Sequence, residues 1–121
     1  NRHVKSAAYQ YMFARPSKSY PKLGAPHAVE LAYVFDTLNE KTASDQDRKL
    51  AQTMNRCWAQ FARTGNPNAA GLPTWPTYTM EQRQYLVLNH EITQGTRLRD
   101  KVCDVLDRAI QGVYNKPPAG N

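Results

Sequence analysis

The sequence predicts an α/β fold in which this chain supplies one flank of a sheet larger than its own strands can build. Three observations lead there. Residues 7–15 alternate as a strand does, and 84–89 (QYLVLN) read as a second strand. Two long segments, 45–63 and 96–113, repeat apolar residues at helical spacing. Two strands alone cannot cover an apolar stripe on each helix, and they leave edges open to pairing.

The first strand, Ala7 to Arg15, puts Tyr9, Tyr11 and Phe13 on one face and Ala8, Gln10, Met12 and Ala14 on the other. Pro16 ends it, because proline has no N–H for a ladder. A loop rich in Ser, Pro and Gly runs from Ser17 to Pro26, and a short apolar stretch follows from Val29 to Phe35. Ser44 with Asp47 three residues on has the pattern of a capping box. It opens a helix over 45–63 whose stripe is Leu50, Met54, Cys57, Trp58 and Phe61, with Gly65 as its stop. Three prolines make the segment from Asn66 to Tyr78 irregular and place it at the surface. Gln84 to Asn89 is the second strand. Thr96 is read as the cap of a last helix with the stripe Leu98, Val102, Val105, Leu106, Ala109, Ile110 and Val113, and the tail from Lys116 as frayed.

The bulk properties exclude several classes of function. The formal charge is +6, but the basic residues interleave with acids, as in Arg97, Arg99, Asp100, Lys101 and Asp104. A nucleic-acid surface needs clustered cations with aromatics or a known motif, so no nucleic-acid partner is expected. No apolar run approaches the roughly 20 residues that span a bilayer, so no membrane span is expected. Opening on Asn1 just ahead of a strand, the sequence is expected to be a fragment or a processed product, not a complete domain. Cys57 and Cys103 have no metal-type spacing and leave the redox compartment open.

Chemistry is sparse. None of the four serines, Ser6, Ser17, Ser19 and Ser44, lies in a G-x-S-x-G turn. There is no glycine-rich phosphate loop and no histidine pair at metal-ligand spacing, so no metal or cofactor is called for. His3 and His90 read as surface residues. His27 differs, because Gly24-Ala25-Pro26-His27 lies on a loop between a strand and an apolar segment, where a sheet can position a reactive group. Trp58, Phe61, Trp75 and Tyr78 read as packing residues, not as a substrate box.

These residues also carry a resemblance. Gly24 to Phe35 (GAPHAVELAYVF) looks like the segment of type-B carboxylesterases and cholinesterases that bears the triad histidine. Trp58 to Asn68 (WAQFARTGNPN) resembles that family's W-x-x-F-A-x-T-G-x-P-N helix and turn, and Leu72 to Tyr78 its W-P-x-Y segment. The likeness runs from Ala7 to Val113. It implies an α/β-hydrolase fold, with 1–121 supplying the last strands, the histidine loop and the terminal helices of that domain.

The resemblance further implies a serine esterase acting on small-molecule carboxylic esters, with His27 as its catalytic histidine. Imidazole titrates near neutrality, which suits taking the serine proton and returning it to the alcohol. The nucleophile and the orienting acid belong to the missing N-terminal part of the protein, so the fragment alone should be inactive and prone to self-association. Glu30 matches a glutamate three positions after the histidine, either tuning polarity near the serine or anchoring the loop through backbone N–H groups. Tyr20 weakly matches a pocket-lining tryptophan, and Cys103 a disulfide-forming position. The alternative is a catalytically silent, neuroligin-like adhesion or binding protein. An independent small binding domain is disfavoured by the missing sheet.

Overall fold

The computed structural model describes residues 6–114. His3 and the tail from Lys116 lie outside them. Three strands form one sheet in the order β1 (Tyr11–Phe13), β2 (Gln84–Leu88) and β3 (Thr93–Thr96). β1 runs parallel to β2, with Tyr11 opposite Leu86 and Phe13 opposite Leu88, while β3 returns antiparallel, with Tyr85 opposite Gly95. A 3₁₀ turn (Pro21–Leu23) and helices α1 (Leu31–Val34) and α2 (Asp45–Thr64) connect β1 to β2, and α3 (Asp100–Tyr114) follows β3.

The expected first strand shrinks to three residues, flanked by an isolated bridge from Tyr9 to Thr77 and by a bond from Leu86 N–H to the Gln10 carbonyl. Its face is as expected. Tyr11 and Phe13 share the side of Leu86 and Leu88, each 1 % exposed, and that side packs on the helices. α2 presents Leu50, Ala51, Met54 and Cys57 to it, all buried, and α1 adds Tyr33 and Val34. Asn55 Nδ2 donates to the Val34 carbonyl at 2.9 Å, tying the end of α1 to α2.

α2 is capped as its sequence requires. Ser44 Oγ accepts from Asp47 N–H, the Asp47 carboxylate accepts from Ser44 N–H, and Gly65 closes the helix at φ 73°. The proline-rich segment is irregular but not all surface, for Pro67 and Trp75 are buried. Asn68 explains how, since its side chain bonds both the N–H and the carbonyl of Trp75, and Trp75 Nε1 donates to the Gln10 carbonyl at 2.9 Å. With its polar groups satisfied, the indole can leave water and pack at a 55° tilt against Trp58, 5.2 Å between ring centres.

Two expectations fail at the C-terminal side. Thr93–Thr96 is a strand, and Thr96 pairs with Gln84 instead of capping a helix. The chain then turns through Arg97 and Arg99, both at positive φ, so α3 begins at Asp100 and Leu98 lies ahead of it. Among the described residues the stripe of α3 stays in water: Val102, Val105, Leu106 and Ile110 are all more than half exposed.

Candidate functional site

His27 lies where the chain turns from the loop into α1. The 3₁₀ turn ends at Gly24, φ 64°, and Val29 N–H bonds back to the Pro26 carbonyl, so His27 and Ala28 occupy the centre of a tight turn. Ala28 holds φ 64°. An alanine in this left-handed region is strained by about 1–2 kcal/mol, because its Cβ crowds the following carbonyl. Such strain persists only where the surroundings impose it, and it concentrates at functional sites.

The ring of His27 is exposed at the rim of an open depression of about 330 Å³, lined also by Tyr11, Phe13, Pro26, Val29 and Glu30. The structure thus brings His27 and Glu30 to one depression, against β1. Glu30 precedes α1, and its carboxylate makes no capping bond there, so it does not anchor that helix end. It faces Tyr11 instead: burial, and after it the charge of Glu30, hold the Tyr11 phenol above its ordinary range. Tyr20 stands apart, 63 % exposed and off the lining.

Neither partner of a catalytic histidine touches the ring from within the described residues. Ser17 Oγ accepts from Tyr20 N–H and Ser44 caps α2. Among the described residues no three His, Cys, Asp or Glu side chains gather as a metal site, and no helix is long and apolar enough to cross a membrane. Cys57 is 1 % exposed and burial pushes its thiol up, against any role as a thiolate. Cys103 is a free, exposed thiol. The aromatic residues Tyr9, Tyr11, Trp58, Phe61 and Trp75 line a half-open pocket of about 190 Å³.

Sequence reasoning missed a second cluster. Asp47, 2 % exposed, receives Arg15 Nε at 2.8 Å, Lys18 Nζ at 2.7 Å, Tyr33 Oη at 3.1 Å and His90 Nε2 at 3.2 Å. Burial pushes the Asp47 carboxyl up, but the bonds from Arg15, Lys18 and Ser44 outweigh it and hold the group far below the carboxylate range. Tyr33 is pushed up to about 12 by burial and then by the Asp47 charge. His90 is a surface residue, as its sequence suggests, but its Nε2 also reaches Asp47. The capping pattern around Asp47 was visible, whereas its other partners are scattered along the chain.

Residues 1–106 match the model of the carboxylesterase family. The chain is 38 % identical over 121 residues to an acetylcholinesterase of Bungarus fasciatus, covering 91 % of this chain and 20 % of that protein. It is 39 % identical over 111 residues to a bile salt-activated lipase of Mus musculus, covering 82 % and 18 %. Two solved structures superpose on it: a PNB esterase (TM-score 0.72, 31 % identity, 83 % of this chain and 21 % of that one) and a thermophilic PNB esterase (TM-score 0.73, 29 %, 83 % and 22 %). The chain spans about a fifth of the length of the relatives it matches.

Proposed function

This chain belongs to the carboxylesterase family and carries part of its α/β-hydrolase fold, and on that premise we propose that the intact protein hydrolyses carboxylic esters through an acyl-serine intermediate. Residues 1–121 would form the C-terminal part of the domain. The observation that carries the reading is the placement of His27, exposed beside the sheet on a strained turn, within the segment that resembles the family's histidine motif.

In this reading an imidazole nitrogen of His27 takes the proton of a serine hydroxyl as its oxygen attacks the ester carbonyl carbon. The imidazolium then gives that proton to the departing alcohol oxygen, and water repeats the cycle on the acyl-serine. The serine, the acid that orients the ring and the oxyanion donors come from outside this chain. Glu30 shapes the field beside His27 without transferring the proton. The relatives named above are, by their names, esterases and a lipase, which favours hydrolysis over a silent adhesion role.

The test is kcat of the intact protein on p-nitrophenyl acetate before and after His27→Ala. A fall of about 10³- to 10⁶-fold with unchanged circular dichroism is expected, by analogy with loss of the histidine in a serine hydrolase. Retention of more than about a tenth of kcat, short of any general-base loss, sinks the assignment. The 121-residue chain alone should show no saturable turnover and no acyl-protein burst.

A further inference from the structure

The loop that carries His27 leaves the sheet at Arg15 and rejoins the fold at Tyr33. Both of its ends finish on one carboxylate. Arg15 Nε and Tyr33 Oη donate to Asp47 Oδ1 at 2.8 and 3.1 Å, and Lys18 Nζ lies 2.7 Å from Oδ2. His90, in the turn between β2 and β3, adds Nε2 at 3.2 Å from Oδ1. Asp47 is itself fixed on α2, its Oδ2 accepting from Ser44 N–H at 3.0 Å and from Ser44 Oγ at 2.6 Å.

Helix capping does not require this arrangement. The reciprocal pair of Ser44 and Asp47 already satisfies the start of α2. Stability explains it poorly as well, since a buried cluster of charges regains little more than its desolvation cost. What the surplus donors accomplish is geometric. They join the start of the loop, its end and the β2–β3 turn to α2, at 20 residues the longest of the described helices. A reactive side chain on a loop is productive only when the supporting residues hold it within a fraction of an ångström.

We infer that Asp47 is a positioning residue for His27, clamping both ends of the histidine loop to α2 through Arg15, Lys18 and Tyr33. The inference rests on the esterase reading above. It acts through loop geometry, so it should appear in turnover more than in substrate affinity.

The experiment uses the intact protein, with p-nitrophenyl acetate as substrate and active serines counted by phosphonate labelling. Asp47→Asn should lower kcat per labelled site by about 10- to 100-fold, the scale of a misplaced catalytic group, and leave KM within about threefold. Tyr33→Phe and Lys18→Met each release one tether and should lower kcat in the same sense by smaller factors. In a His27→Ala background, where the serine no longer labels and rates are taken per folded protein, Asp47→Asn should cost less than about twofold further, because residues acting through one another are not additive.

Unchanged kcat per labelled site in Asp47→Asn beside a lowered melting temperature would overturn the inference and leave Asp47 a helix cap. Full multiplication of its loss with that of His27→Ala would do the same. If Asp47→Asn does not fold, Tyr33→Phe and Lys18→Met decide, and unchanged kcat in both overturns it. Retention of kcat by His27→Ala defeats the esterase assignment together with the inference, whereas collapse of His27→Ala beside unaffected tether variants defeats the inference alone.

Discussion

His90 Nε2 stands 3.2 Å from Asp47 Oδ1, although 43 residues separate the two in sequence. Arg15, Lys18 and Tyr33 face the same carboxylate from the loop and α1, and Ser44 from its own helix. Because the folded state holds Asp47 below its ordinary range, the unfolded chain binds that proton more readily. The stabilisation is therefore complete above the ordinary carboxylate range, near pH 4, and drains away as pH falls below it. Unfolding free energy of the intact protein should fall more steeply from pH 5 to 3 in wild type than in Asp47→Asn, by up to about 1.4 kcal/mol per pH unit. Denaturant titrations at three pH values measure the slopes, and equal slopes contradict the assignment of charge.

Glu30→Gln should cost activity, but much less than His27→Ala. The carboxylate sits at the same depression and acts on Tyr11 through its field, with no hydrogen bond that holds the end of α1. A loss of less than about 100-fold is expected, below the upper range for a proton-transferring group. Equal collapse of both variants, each still folded, gives Glu30 a direct part in the chemistry.

Ala28 makes a prediction of opposite sign for two neighbouring substitutions. At φ 64° glycine is free of the Cβ clash and valine is worse than alanine. Ala28→Gly should raise unfolding free energy by about 0.5–1 kcal/mol, and Ala28→Val should lower it by more than about 1 kcal/mol. Thermal melts of the intact protein decide. A destabilised glycine variant would show that the turn relaxes to negative φ.

The 121-residue chain alone should self-associate through α3. Val102, Val105, Leu106 and Ile110 form an exposed apolar stripe on a helix that the described core does not cover. Sedimentation velocity at micromolar concentration should show oligomers, and Val105→Lys with Ile110→Lys should shift them toward monomer. A strict wild-type monomer with a sharp two-state melt rejects the prediction.

How much could be read from the residues varies with how local the determinants are. α2 was legible at both ends because Ser44, Asp47 and Gly65 act within one turn of the helix. β2 was legible because Tyr85-Leu86-Val87-Leu88 is a short apolar run between the polar Gln84 and Asn89. β3 was not, since Thr93-Gln94-Gly95-Thr96 is polar and mostly exposed and is a strand only because β2 lies beside it. That pairing also removed Thr96 from its expected role as a cap. β1 was read too long, because alternation runs on past Phe13, where β2 ends at Leu88, and back to Tyr9, which bridges to Thr77. His27 was singled out by its loop and its motif, while the Asp47 cluster joins residues from four separate segments and leaves no local pattern.

The parallel register of β1 and β2 sets an order of events during synthesis. The His27 loop, α1, α2 and the Trp75 segment all emerge between the two strands, so β1 must wait for its partner until that whole interval has left the ribosome. Closing so long a loop is costly in chain entropy and slow. α2, capped at both ends by its own residues, can form meanwhile and offer Leu50, Met54 and Cys57 as a surface for Tyr11 and Phe13 of β1. A waiting strand of three residues also offers little ladder for mispairing with a neighbouring nascent chain. The brevity of β1 thus protects the chain during the interval in which its register is still unmade.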